Sequence, residues 1–141
     1  MPDIPKSFTV AAQLESLGPV TDFLRTGARE ANLPELQIGQ LELLIEEIFV
    51  NICRYSYLDV RDGSVTVRYT IPRTGELAVE VEDQGIAFDP LAAPDPDLAT
   101  SLEQRPVGGL GILLFKTLAG SLSYRREQGW NRLRFGISAG S

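Results

Sequence analysis

Three short stretches of this chain carry residue types suited to chemistry on a nucleotide. The first is Glu47-x-x-x-Asn51. On a helix, residues four apart lie one turn apart on the same side. The Glu47 carboxylate can take a proton from water or from a hydroxyl attacking a phosphate. The Asn51 side chain offers Mg2+ a neutral oxygen, the kind of hard ligand that ion favours. The second is Asp83-Gln84-Gly85, an acid at the end of an apolar-alternating run, followed by a glycine turn. A carboxylate delivered there can accept a hydrogen bond from an amino group on a base. The third is Gly108-Gly109-Leu110-Gly111, directly before an apolar helical run. Glycines at a helix start let the backbone approach a phosphate, with free N–H groups and the positive end of the helix dipole aimed at it. Together the three predict a nucleotide site with an adenine end, a phosphate end and a flexible loop between them.

Each stretch taken alone has a plainer structural reading. Glu47 and Asn51 can be two polar residues on an exposed helix face, Asp83 to Gly85 a polar turn, and the glycines a closely packed helix entry. The glycines are not a dinucleotide fingerprint, since the spacing is not G-x-G-x-x-G and no strand immediately precedes them. Nor is Gly111 to Lys116-Thr117 a P-loop, because Phe115 occupies the required glycine position.

The elements that position these residues follow from hydrophobic periodicity. Residues 7–13 alternate loosely and predict a first strand at a sheet edge. Leu17, Val20, Phe23, Leu24, Ala28 and Ala31 recur at three- and four-residue spacing, so 17–32 reads as an amphipathic helix, with Ser16 as its cap and Asn32-Leu33-Pro34 as its end. A second helix spans about 35–57. Leu41, Leu44, Ile45, Ile48, Ile52 and Tyr55 form its apolar face, widened by Phe49 and Cys53, while Glu47, Asn51 and Tyr55 stack along its border. Strands are expected over 64–71 and 76–82 around a Pro72-to-Gly75 loop. Residues 84–107 read as a loop holding four of the nine prolines, a length that is more often functional than accidental. A nearly all-apolar, buried helix follows at about 109–119, then a closing hairpin, 121–126 and 131–137, around Gln128-Gly129. Trp130 reads as an ordinary hairpin residue. The order β-α-α-β-β-loop-α-β-β, with two hairpins, predicts an α+β sandwich: a mostly antiparallel mixed sheet with three helices on one face.

Composition narrows the class. The 141 residues suit one domain, and 43% hydrophobic with 23% charged residues is ordinary for a soluble protein. A net charge of -6 argues against a broad nucleic-acid face, which must neutralise phosphates with Lys and Arg. With no His and one Cys, imidazole chemistry, an intramolecular disulfide and a Cys-only zinc site are excluded. A reduced, cytoplasmic setting is expected, with neither a signal peptide nor a membrane span.

The order and spacing of the three stretches resemble the layout of the GHKL ATPase superfamily. Leu44-Ile-Glu-Glu-Ile-Phe-Val-Asn-Ile-Cys-Arg-Tyr-Ser-Tyr57 is similar to the LAxEExxxNxxxHxY segment of bacterial anti-sigma-factor serine kinases. Val81-Glu-Asp-Gln-Gly-Ile-Ala-Phe-Asp-Pro90 resembles that family's DxGxxFDP box, and Val107-Gly-Gly-Leu-Gly-Ile-Leu-Leu114 its GGLGL box, followed by the closing hairpin with Tyr124-Arg-Arg-Glu. The resemblance implies the Bergerat ATP-binding fold, with ATP between helices and sheet. It assigns Glu47 as base, Asn51 as Mg2+ ligand and Asp83 as the contact to the adenine amino group. Gly85 and Ala87 would line the base pocket. Residues 91–107 would be the ATP lid, with Arg105 as a phosphate contact, and Gly109 and Gly111 would meet the phosphates. Arg54, Tyr55, Phe88, Gly108 and Leu110 complete the implied ATP-binding set.

Family members phosphorylate a serine on a small STAS-type anti-anti-sigma partner, sequester a sigma factor and often form homodimers. Three positions depart from the pattern: Tyr55 stands for the usual His, Ala87 for the last glycine of its box, and Leu118-Ala-Gly-Ser121 for a stretch that is often acidic. The leading expectation is therefore an ATP-dependent serine protein kinase. The alternatives are a partner-binding module whose nucleotide pocket is vestigial or structural, and a small ATPase without a protein substrate. Self-phosphorylation on a histidine is excluded by the absence of His.

Overall fold

The computed structural model describes residues 4–56, 63–86 and 121–139. The expected lid and the third helix lie outside these residues.

The first strand, β1 (Lys6–Ala11), is an edge strand as expected. A 3-10 turn, Leu14–Ser16, leads into helix α1 (Leu17–Glu30). Ser16 does not cap this helix: its backbone is already helical (φ -80°, ψ -11°) and its side chain makes no cap hydrogen bond. The 3-10 turn explains why, because it feeds straight into α1 and the Leu17 N–H donates to Leu14 O. The far end of α1 follows the sequence signal. Asn32 takes the left-handed conformation (φ 61°), Asn32 N–H donates to Arg29 O and Leu33 N–H to Ala28 O. These are the two hydrogen bonds of a Schellman motif, with Asn in the place glycine usually holds. Buried Leu33 seals it.

Helix α2 (Glu35–Asn51) then starts at Pro34, whose fixed φ suits a helix entry. Its face of Ile38, Leu41, Leu44, Ile45, Ile48 and Phe49 is fully buried. Arg25 of α1 reaches Glu42 of α2 at 2.7 Å. After Asn51 the winding changes, and Ile52–Ser56 forms a π-helical turn.

Four further strands complete the sheet: β2 (Ser64–Arg73), β3 (Glu76–Asp83), β4 (Ser121–Glu127) and β5 (Trp130–Ser138). The order is β1-β2-β3-β5-β4, and all four neighbouring pairs are antiparallel. Both hairpins were expected, but the first is tighter than the sequence suggests. Pro72 and Arg73 belong to β2, and the turn is Thr74-Gly75 alone, with Gly75 at φ 87°. A register irregularity between Thr70 and Arg73 accommodates Pro72, which has no N–H for the ladder.

Side chains alternate faces along a strand. Val65, Val67, Tyr69, Leu77, Val79, Val81, Leu133, Phe135 and Ile137 turn to the helices and, with them, make one core. The opposite face is a charged ladder in which Arg68 and Arg134 flank Glu80 in register. Arg68 also bonds Glu82.

Candidate nucleotide site

Helix α2 places the first pair of candidates. Asn51 closes the helix and is only 3% exposed. Glu47, one turn earlier, is half-buried, and its Oε2 atom is buried with no hydrogen-bond partner among the described residues. Burial raises the Glu47 pKa above the usual carboxylate value, the neighbouring Glu46 raises it further, and Arg54 pulls it back. An acid with an unengaged oxygen and a raised pKa is suited to accepting a proton near neutral pH.

The sequence stripe was expected to run from Glu47 through Asn51 to Tyr55. The π turn that begins at Ile52 ends the four-residue spacing at Asn51, and the Tyr55 side chain lies outside the described residues. Such turns are frequent at functional sites. Arg54 sits on this turn and is exposed.

Strands β3 and β5 place the second group. Asp83 ends β3 and is 3% exposed. Its Oδ1 accepts the Gly85 N–H at 2.9 Å, which folds the turn after the strand back onto the acid. Asn131, at the start of β5, stands opposite Asp83 in register. Its Nδ2 donates to Asp83 Oδ1 at 2.9 Å and to Ile86 O at 2.8 Å. The Asn131 oxygen in turn accepts from the Tyr124 hydroxyl at 2.5 Å and from Arg126 Nη1 at 3.1 Å. Arg126 Nη1 also reaches Gly85 O at 2.7 Å. The predicted pair Asp83 and Gly85 is thus brought together and tied to the β4–β5 hairpin.

A small crevice of about 10 Å³ lies beside Asp83, between the helical layer and the sheet. It is lined by Ile48 and Ile52 of the helical layer and by Val81, Asp83, Tyr124, Asn131 and Leu133 of the sheet. Ile48 and Ile52 each follow directly on Glu47 and Asn51, so the acid–amide pair belongs to the same stretch of helix that faces Asp83. Two roomier hollows lie elsewhere, one around Arg68, Glu80 and Arg134 and one around Pro72, Leu77 and Ser138. Neither contains a predicted site residue, and neither gathers groups suited to the chemistry.

Ala87, Phe88, Arg105, Gly108, Gly109, Leu110 and Gly111 lie outside the described residues. Within them, no three acids, histidines or cysteines cluster to hold a metal. The buried Asn51 amide oxygen would suit Mg2+ nonetheless, because that ion keeps waters and takes substrate phosphates as its other ligands. Cys53 is no nucleophile at neutral pH: burial, followed by Glu15, raises its thiol pKa to about 11.

Sequence reasoning missed Asn131, Tyr124 and Arg126 as site residues. The signal that finds them is register, since pairing β3 with β5 sets residue 131 against residue 83. These strands are not consecutive, so no hairpin in the sequence announces that pairing.

Among the described residues, two helices over an antiparallel sheet, with an acid–amide pair on the second helix and a buried acid ending the third strand, define a sandwich of the GHKL type. The histidine kinase-like ATPase domain profile matches residues 10–137, and the chain belongs to that family. Its relatives include the serine/threonine-protein kinase BtrW of Bordetella bronchiseptica, 34% identical over 95 residues, covering 66% of this chain and 65% of BtrW. The serine-protein kinase RsbW of Bacillus velezensis is 28% identical over 125 residues, covering 85% of this chain and 77% of RsbW. The chain thus spans just under two thirds of the first relative. The likeness to anti-sigma-factor serine kinases read from the motifs is borne out at the level of family.

Among solved structures, the RsbU and RsbW domains of a Mycobacterium tuberculosis protein superpose with a TM-score of 0.66 at 17% identity, covering 96% of this chain and 32% of that one. The histidine kinase domain of a blue-light activated kinase from Erythrobacter litoralis gives 0.58 at 18% identity, covering 88% of this chain and 61% of that one. At these identities the likeness speaks to the fold.

Proposed function

We propose that this chain is an ATP-dependent serine protein kinase that acts on a small STAS-type anti-anti-sigma protein and itself binds a sigma factor. The observation that carries the reading is Glu47: a carboxylate with a raised pKa and a buried oxygen that no described residue engages, one turn from buried Asn51. In this reading Glu47 takes the proton from the attacking serine hydroxyl, and Asp83 receives the amino group of adenine. Asn51 holds Mg2+, which when bound neutralises charge on the transferring phosphoryl group. Sequence kinship with a serine/threonine-protein kinase and a serine-protein kinase supports a side-chain hydroxyl as acceptor. Gly85, Ala87 and Phe88 would border the base, and Arg105 with Gly108 to Gly111 would meet the phosphates.

The test pairs calorimetry with a transfer assay. Mg-ATP and Mg-ADP should bind the wild type, and Asp83→Asn should weaken that binding. Glu47→Ala should keep nucleotide affinity and lose phosphorylation of a STAS-type partner by at least about a hundredfold. Equal phosphorylation by wild type and Glu47→Ala would remove Glu47 from the chemistry. The departures at Tyr55 and at Leu118-Ala-Gly-Ser121 favour a second reading, a non-catalytic module that sequesters its partner. Tight partner binding with no ATP affinity would establish that one instead.

A further inference from the structure

Asn131 is the hub of the bonding around Asp83, and its chemistry is specified on both sides. Its NH2 group faces two acceptors, the Asp83 carboxylate and the Ile86 carbonyl. Its oxygen faces two donors, the Tyr124 hydroxyl and the Arg126 guanidinium. A flipped amide would set its oxygen against the Asp83 carboxylate and the Ile86 carbonyl and its NH2 against the Arg126 guanidinium, so the orientation seen is the one that satisfies the network. An apolar residue would remove one hydrogen bond from each of four polar groups, and an aspartate would oppose the Asp83 carboxylate. The side chain is 4% exposed, so water does not stand in for these contacts.

We infer that Asn131 is a positioning residue that aims the Asp83 carboxylate, and so sets the preference of the site for a base with an exocyclic amino group. This inference rests on the nucleotide reading above. Two N–H donors, Gly85 and Asn131, hold one oxygen of Asp83 and thereby fix the plane of the carboxylate. The hydrogen bond from Arg126 to Gly85 O holds the turn itself against the hairpin. Three strands therefore converge on the orientation of one acid. A hydrogen bond to an amino group pays off only when the acceptor is already aimed, because an unpaired buried acceptor penalises a base that lacks the donor.

The experiment compares binding of Mg-ATP with binding of the Mg complex of purine riboside triphosphate, which lacks the amino group. It uses the whole chain and the variants Asn131→Ala and Tyr124→Phe. The wild type should prefer ATP, and Asn131→Ala should reduce that preference about tenfold. Tyr124→Phe removes one donor to Asn131 and should act in the same direction more weakly. A purely structural stitch would weaken both ligands alike and leave their ratio unchanged, and that result overturns the inference while leaving the nucleotide site standing. Should Asn131→Ala fail to fold, the same ratio in Tyr124→Phe decides. No ATP affinity in the wild type would instead overturn the nucleotide reading, and the inference with it.

Discussion

Glu47 shows how a residue's surroundings, more than its type, decide what it can do. The helical pattern puts it at the border of the apolar face, where a solvated carboxylate was the plain alternative. The fold buries one oxygen that has no partner among the described residues, and the pKa rises. That shift has a consequence for stability. The folded chain holds the Glu47 proton more tightly than the unfolded chain does. Between the ordinary value of 4.5 and the raised value, the unfolded state has released a proton that the folded state keeps. Stability contributed by this group therefore falls as pH rises through that window and stays lower above it. Glu47→Gln keeps the shape and removes the charge. It should raise the Tm near pH 7 and leave it unchanged near pH 4, while phosphoryl transfer drops by about a hundredfold or more. Thermal melts at the two pH values check the first part; a lower Tm for the variant near pH 7 would mean that the ionised carboxylate has a partner in the fold.

Element boundaries were legible where one residue type forces a backbone state, and illegible where two signals compete. Asn32 before Pro34 marked the end of α1 because asparagine tolerates the left-handed conformation, and the chain uses it so. Ser16 looked like a cap, but a preceding 3-10 turn had already satisfied the helix start. Pro72 looked like part of a turn, but a strand irregularity absorbed it. Gly27, in the interior of α1, had no sequence explanation. The packing supplies one: a Cβ there would meet the Tyr69 ring at 2.7 Å. That ring cannot easily yield, since Phe23 packs against it at a tilt of 55° with centroids 5.0 Å apart and the Lys6 ammonium lies 5.8 Å from its centre. Gly27→Ala gains up to about 1 kcal/mol of helix propensity. Overpacking costs about 1–3 kcal/mol. Clash should win, with a net loss of up to roughly 2 kcal/mol in urea unfolding. A stabilised variant would show that α1 can ride further from the sheet than it does.

At the scale of the molecule, strand faces were legible from the two-residue period, and the pairing of hairpin neighbours from their turns. The placement of β5 between β3 and β4 was not, because the segment that connects β3 to β4 carries no signal of where its far end returns. That single topological fact decides what surrounds Asp83, so the acid was readable in the sequence and its supporting amide was not. It also sets how a ligand would act on the fold. Glu47 and Asn51 belong to the helical layer and Asp83 to the sheet, and a small crevice beside Asp83 is walled by Ile48 and Ile52 of the first and by Val81 and Leu133 of the second. A nucleotide held at both ends would bridge the two layers and bind only when both are in place. Ligand that binds the folded state alone stabilises it by about 2.7 kcal/mol at a hundred times its Kd. For a chain of this size, that corresponds to a rise in Tm of about 8–10 °C. Mg-ATP should produce such a shift in the wild type, and Asp83→Asn should lose most of it while melting at nearly its own unliganded temperature. A shift of equal size in both proteins would mean that the ligand is held from the helical layer alone, and Asp83 would then have to be given a structural role.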